Sequence, residues 1–207
     1  MPAEVEETEE EGLLDVRPVP ELAHIHGLRL NPNSREIFII GEISEDFQEW
    51  FATSFRYLVS LNNKPIIIWL STGGGLVEGS YVFHDLVRAS SAHVIIIGTG
   101  SIASAGVLML ACGHKRYVTE SCVVMSHEGS ISWEEGRYSE IKDRRKFEDW
   151  NMTHWYELMG RYSKDKSYWK NVTSKQAEYW ILGGAAIVEE GLADAVLTQE
   201  ILDSIFK

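Results

Sequence analysis

Two short segments put a hydroxyl and an imidazole where strands and helices meet. In Ile102-Ala103-Ser104-Ala105-Gly106 a serine stands in the first turn of an apolar helical pattern, and in Met125-Ser126-His127 a histidine follows directly on an apolar strand pattern, Cys122 to Met125. A serine at a helix start points its hydroxyl toward unpaired amides and the positive end of the helix dipole, which favour negative charge as it develops. By itself such a serine is most often only a cap. A histidine leaving a strand end lies at the sheet edge, where neighbouring helix starts converge, and a Ser–His pair within hydrogen-bond reach is the working unit of nucleophilic catalysis. Ser104 is therefore the candidate nucleophile and His127 its candidate general base. The small neighbours Ala103, Ala105 and Gly106 leave room for a carbonyl to approach. The backbone N–H of Ala105, with that of Gly74 from the turn Ser71-Thr72-Gly73-Gly74-Gly75, is a candidate oxyanion hole.

The same stretch also matches a weaker pattern. Gly98-x-Gly100-x-x-Ala103 is a form of the dinucleotide fingerprint, with Glu120 at a plausible distance for a ribose contact. That acid should end the next parallel strand, whereas Glu120 falls in a turn, so the nucleotide reading is set aside. His24 and His26 are spaced to suit a metal but have no accompanying ligand cluster, and no metal site is expected. No cofactor is expected in the chain.

The elements that must position the candidates are legible from periodicity. After Arg35, short apolar runs alternate with helical periods, the signature of α/β layering with a mainly parallel sheet. Ile37 to Ile40, Ile66 to Leu70 and Val94 to Ile97 read as buried strands. Asp46 to Ser60 gathers Phe47, Trp50, Phe51, Ser54, Tyr57 and Leu58 near one helical face, and Leu76 to Val87 makes a second helix. A third opens near Ser101 and ends at Gly113, followed by strands around Tyr117 and from Cys122 to Ser126. Glu128 to Tyr138 is rich in Gly, Ser and charge. The long helix after it, about Ser139 to Arg161, carries Phe147, Trp150, His154 and Leu158 as an apolar stripe that suits either core or a partner.

The 207 residues suffice for one domain with a real core. A formal net charge of −12 argues against nucleic-acid and anionic-membrane partners. No apolar stretch has the length of a membrane span, and the start lacks the plan of a secretory signal. Cys112 and Cys122 do not suggest a disulfide scaffold, so a reducing, cytoplasmic setting is expected and the N-x-T matches at Asn151 and Asn171 carry no glycosylation meaning. Met1 to Gly12 is an acidic block that reads as a mobile tail, and Leu13 to Asn33 as an N-terminal arm.

Taken in order and spacing, Arg35-Glu36-Ile37-Phe38-Ile39-Ile40-Gly41, Ser71-Thr72-Gly73-Gly74, Ile102-Ala103-Ser104-Ala105-Gly106, Gly113-His114-Lys115-Arg116, Met125-Ser126-His127 and Glu190-Gly191-Leu192-Ala193-Asp194 resemble the Clp peptidase family (ClpP). The resemblance spans about Arg35 to Leu197. It implies a ClpP/crotonase-like layered α/β fold of strand–helix units, with a projecting handle of strand plus long helix at about 128–161 inside a peptidase domain at 34–198, and a C-terminal tail at 199–207. It implies a serine endopeptidase acting on unfolded proteins and peptides, built as heptameric rings stacked in pairs, a tetradecamer of self-associated subunits. An AAA+ Clp ATPase partner, which uses the ATP, is implied as the unfoldase. The resemblance also assigns Ser104 as nucleophile, His127 as base and the amides of Gly74 and Ala105 as oxyanion donors, and it places Lys115 in a family turn.

The chain departs from the family at the third catalytic residue. Counting back from Gly191 without gaps puts Tyr179 where the family has Asp, and one insertion puts Glu178 there. Glu178 is the candidate to orient His127, with a solvated helix carboxylate as its alternative, and Asp165 and Asn171 are further candidates. The strand that in the family presents aromatic residues to the unfoldase here carries Ile66, Ile67, Ile68 and Trp69. Two other functions are weighed: a weak or inactive ring subunit that supports a mixed complex, and an acyl-CoA enzyme of crotonase type, which needs no Ser–His pair.

Overall fold

The structure is a computed structural model and describes residues 25–129 and 136–207. The acidic stretch Met1 to Gly12, the first part of the arm and residues 130–135 of the expected handle lie outside the described residues.

Alternation of apolar runs with helical periods produces the expected layering. Strands β1 (Leu30–Asn31), β2 (Glu36–Ile40), β3 (Ile66–Thr72), β4 (Val94–Ala103), β5 (Lys115–Val118) and β8 (Ala195–Val196) lie side by side in that order. All neighbours in this row are parallel except β1 with β2. Two further strands, β6 (Val123–Ser126) and β7 (Tyr179–Leu182), extend the sheet at its upper edge, β6 parallel to β4 and β7 antiparallel to β6. β4 is long because it serves two neighbours in succession: Ile95–Gly98 pair with β5 and Ser101–Ala103 with β6.

Helix α1 (Glu45–Leu61) is capped by the Ser44 hydroxyl, which accepts from the Phe47 N–H, and buries Phe47, Phe51, Phe55 and Leu58. Phe55 takes the place expected of Tyr57, which is exposed, because the 3.6-residue period keeps 47, 51, 55 and 58 on one stripe. Phe51 stacks on Phe83 of α2 (Val77–Arg88) with ring centroids 4.7 Å apart. Arg35 is buried at the C-terminal end of α1, where its guanidinium donates to the carbonyls of Leu58, Asn62, Lys64 and Pro65. A cation there satisfies carbonyls that the helix leaves unpaired.

Helix α3 (Ala105–Ala111) is buried along its whole length. It starts four residues later than its sequence pattern suggests, because β4 continues through Gly98 and Gly100 up to Ala103. Leu70 pairs with Gly98 but Thr72 with Ile102, so two residues of β3 span four of β4, and Gly100 at φ 60° absorbs the bulge. The long helix α4 (Tyr138–Tyr162) splits the expected stripe. Trp155, Tyr156, Leu158 and Met159 are buried, whereas Phe147 and Trp150 are exposed and stack in series with His154. Helices α5 (Lys166–Lys175), α6 (Gly184–Glu189) and α7 (Gln199–Ile205) complete the described chain. The expected C-terminal tail thus contains α7, whose Leu202 and Ile205 pack on the face formed by Ile67, Ile95 and Ile97. No helix among the described residues is long and apolar enough to cross a membrane.

Candidate active site

Ser104 occupies the single residue between β4 and α3. Its backbone sits at φ 54°, ψ −124°, a conformation that costs a side-chain-bearing residue about 1–3 kcal/mol. Two bonds hold it there: its N–H donates to the Met125 carbonyl at 2.8 Å, and its own carbonyl accepts from Val107 at 3.0 Å. The side chain makes no capping bond to the helix. The expectation of a hydroxyl aimed at helix amides is replaced by a sharp strand-to-helix turn, which lifts the hydroxyl clear of the backbone in the manner of a nucleophile elbow.

His127 arrives from the strand beside it. Ala103 pairs with Met125 across β4 and β6, so the chain emerging two residues later stands next to the turn. His127 Nε2 and Ser104 Oγ are 2.8 Å apart. That is within the range in which a base can take a hydroxyl proton directly.

The two glycine-turn amides differ. The Ala105 N–H has no acceptor among the described residues, whereas the Gly74 N–H donates to the Thr72 hydroxyl at 3.0 Å. Gly74 nonetheless presses against the nucleophile: a Cβ placed on it would lie 2.6 Å from the Ser104 Cβ and 2.8 Å from the Ala103 carbonyl oxygen.

Glu178 is not in a helix. It immediately precedes β7, and the last β6–β7 pair is Ser126 with Tyr179. His127 and Glu178 are the residues next beyond that last pair, each just outside its strand. The carboxylate turns away, with Oε2 accepting from the Trp180 indole N–H at 2.9 Å, and no hydrogen bond joins it to His127. Tyr179, at the ungapped position, points its hydroxyl elsewhere, to Tyr168 and Glu190. Asp165 caps α5 through the Ser167 and Tyr168 amides, and Asn171 lies exposed on that helix.

Other groups are excluded as nucleophiles or ligands by their surroundings. Burial raises the Cys112 thiol strongly and pushes Cys122 up to about 11, so neither is a thiolate at neutral pH. Lys115 is exposed at the start of β5. Arg116 beside it ties the Tyr162 and Gly191 carbonyls together and pairs with Asp194 at 2.6 Å. The nucleotide pattern fails on geometry, since Gly98 and Gly100 lie within β4 and not in a turn that opens a helix. His26 is exposed, and His24 lies outside the described residues.

Two features carried no sequence signal. Tyr168 and Tyr179 each donate a hydroxyl to Glu190, and Lys164 pairs with the same carboxylate at 3.0 Å. The set anchors Tyr179, the strand partner of the residue before His127. Beside Ser104 and His127 lies a cavity of about 70 Å³, walled by Val77, Asn151, Met152 and Trp155. Asn151 had registered in the sequence only as a glycosylation match.

A strained serine at a strand-to-helix turn, bonded to an imidazole from the adjoining strand of a layered α/β sheet, defines the class of protein in which such pairs are built at strand ends. Comparison with known proteins narrows this. The Clp protease family matches residues 28–200. Among curated relatives, ATP-dependent Clp protease proteolytic subunit 2 of Treponema pallidum is 39% identical over 83 residues, which is 40% of this chain and 42% of the relative. The protein of the same description from Pseudomonas aeruginosa is 32% identical over 98 residues, 46% of this chain and 49% of the relative. The chain thus spans somewhat under half the length of these relatives. A ClpP1 mutant from Listeria monocytogenes superposes with a TM-score of 0.74 at 22% identity, covering 86% of this chain and 99% of that one, a likeness of fold. The chain belongs to the Clp protease family.

Proposed function

We propose that the protein is a serine endopeptidase, the proteolytic subunit of a Clp-type protease. The observation that carries this is the 2.8 Å contact between His127 Nε2 and the hydroxyl of Ser104 on its strained turn. Ser104 Oγ attacks the scissile carbonyl carbon as its proton passes to His127 Nε2. The developing oxyanion is received by the Ala105 N–H and by the Gly74 N–H, which exchanges the Thr72 hydroxyl for it. Collapse expels the amine, which takes the proton from His127 and leaves an acyl-serine. Water, deprotonated by the same imidazole, releases the acid and restores the hydroxyl. Glu178 completes the set by leaving Trp180 and accepting from His127 Nδ1, which would fix the tautomer and stabilise the imidazolium.

The substrates in this proposal are unfolded chains and peptides, and the assembly is a double heptameric ring fed by an AAA+ ATPase, as the family membership suggests. The exposed Phe147–Trp150–His154 stack on α4 supplies apolar surface for packing between subunits. The test is labelling of the assembled protein with a fluorophosphonate, followed by peptide mapping. Modification of Ser104, abolished together with peptide cleavage by Ser104→Ala, is expected. An assembled ring that neither labels nor cleaves overturns the proposal and leaves a supporting ring subunit.

A further inference from the structure

Strand β7 is four residues long and, among the described residues, pairs only with β6. Its first residue, Tyr179, makes the last pair of the ladder, with Ser126. The end of a short edge ladder is the part that opens most readily. Two site residues lie just past this pair: His127 follows Ser126, and Glu178 precedes Tyr179. The side chain of Tyr179 holds the end in place. Tyr179 and Ile181 pack inward, whereas Trp180 and Leu182 are exposed. The Tyr179 hydroxyl donates to Glu190 Oε1 at 2.9 Å, and the Tyr168 hydroxyl donates to Oε2 at 2.7 Å. Lys164 Nζ pairs with Oε2 at 3.0 Å and lies 4.7 Å from the centre of the Tyr168 ring. Each phenol has a single proton, and Glu190 receives both, so the 2.8 Å contact between the two hydroxyls exists because one carboxylate gathers them. Four segments meet at that carboxylate: the α4–α5 link, α5, β7 and the C-terminal end of α6.

We propose that Tyr179 is a positioning residue: through its hydroxyl the Glu190 cluster clamps the start of β7, so that Glu178 is presented to His127. The inference rests on Ser104 acting as the nucleophile and on Glu178 as the carboxylate that serves His127. The Glu178 carboxylate lies with the exposed Trp180 indole, so it leaves the backbone in a different direction from the inward Tyr179 hydroxyl. Anchoring one face of a strand fixes the backbone from which the other face is displayed. Tyr179 touches no reacting atom and does not line the cavity beside Ser104, so its hydroxyl acts on turnover and not on substrate affinity. Tyr168 makes a useful contrast. Its hydroxyl has the same two partners, the other phenol and Glu190, yet it sits on α5, and its removal leaves Tyr179 bonded to Glu190.

The experiment uses the full assembled chain. For each variant it reads kcat and KM on one fluorogenic peptide, fluorophosphonate labelling of Ser104 and the thermal midpoint. Tyr168→Phe and Tyr179→Phe should lower the midpoint by similar amounts. Tyr179→Phe should lower kcat by about five-fold with KM little changed, while Tyr168→Phe keeps kcat within about two-fold. The loss should stay below that of Glu178→Gln, because the hydroxyl acts only through that carboxylate. In a Glu178→Gln background Tyr179→Phe should cost less than about two-fold, the non-additivity of residues that act through one another. Glu190→Leu, which removes the shared acceptor, should repeat the pattern and replaces Tyr179→Phe if that variant does not fold. With Ser104 still labelled, four results overturn the positioning role alone: an unchanged kcat in Tyr179→Phe, an equal fall in Tyr168→Phe, a full effect in the Glu178→Gln background, or an unchanged kcat in Glu178→Gln. Absence of both labelling and cleavage in the wild type overturns the nucleophile assignment and this proposal with it.

Discussion

Replacing Gly74 by alanine should disable Ser104 while the same change at Gly73 should not. A Cβ at Gly74 would lie 2.6 Å from the Ser104 Cβ, 2.8 Å from the Ala103 oxygen and 3.3 Å from the Ala105 nitrogen. Carbon atoms pack best at about 3.5–4.0 Å, so the methyl intrudes by roughly 1 Å. The obstacles are backbone and a Cβ, not the free end of a side chain, so the turn itself must yield. It is held by the Ser104 N–H on Met125 and by Oγ on His127, and a shift lengthens one or both. Misplacing a reacting atom by about 1 Å costs on the order of 100-fold in rate. The positive φ of Gly74, 96°, adds backbone strain of about 1–3 kcal/mol, which lowers stability as well. At Gly73 a Cβ would meet nothing within 4 Å. The assay is the second-order rate of fluorophosphonate labelling at Ser104, read by mass spectrometry beside the thermal midpoint of each variant. Gly73→Ala should stay within about two-fold of the wild type, and Gly74→Ala should fall by about 100-fold while remaining folded. Equal labelling rates for Gly74→Ala and wild type would refute the claim that this glycine sets the position of the nucleophile.

Two further outcomes are expected. Glu178→Gln should lower kcat for peptide cleavage at least about ten-fold, because a neutral amide cannot stabilise the imidazolium, whereas Trp180→Phe, which removes the indole N–H that holds the Glu178 carboxylate, should raise kcat; an unchanged kcat in Glu178→Gln would leave Ser104 and His127 working as a dyad. Burial works to raise the Glu190 carboxyl, but the hydroxyls of Tyr168 and Tyr179 and the Lys164 ammonium outweigh it and hold Glu190 below the ordinary carboxylate range. A folded-state value below the unfolded one gives stability that is fully present above the unfolded value of about 4.3 and is lost as the pH falls through the folded value. The gap in unfolding midpoint between wild type and Glu190→Gln should therefore be widest near neutrality and shrink below about pH 4, and a gap constant with pH would contradict this account.

Much of the scaffold was legible because its signals are local. The apolar runs 37–40 and 66–70 fall within β2 and β3, and the 3.6-residue stripe of α1 needs only its own residues to be seen. Errors fall where tertiary contacts override the local pattern. Val94 to Ile97 is the apolar half of β4, but the strand runs on to Ala103, because pairing with β6 and a bulge at Gly100 stabilise a polar, glycine-bearing extension that no propensity would favour. Glu178, the candidate to orient His127 with a helix carboxylate as its alternative, lies in neither a helix nor a strand but just before β7, which pairs antiparallel with β6. In the long helix, periodicity identified the bulky residues and left their burial open. Packing then covered Leu158 and exposed Trp150.

The sequence by itself determined which groups are available for chemistry: one serine before a buried helix, one histidine after an apolar strand, glycines in the turn beside them, and no carboxylate at the ungapped third position. Covalent order sets those identities. What only the tertiary structure decided is how they meet. The strained backbone of Ser104, the 2.8 Å approach of His127 and the burial of Gly74 against the nucleophile while Gly73 stays clear all depend on contacts between segments distant in the chain. Such contacts have no period and no fixed spacing. They arise when strands pair and helices pack, and they are settled by sterics and hydrogen bonding in three dimensions.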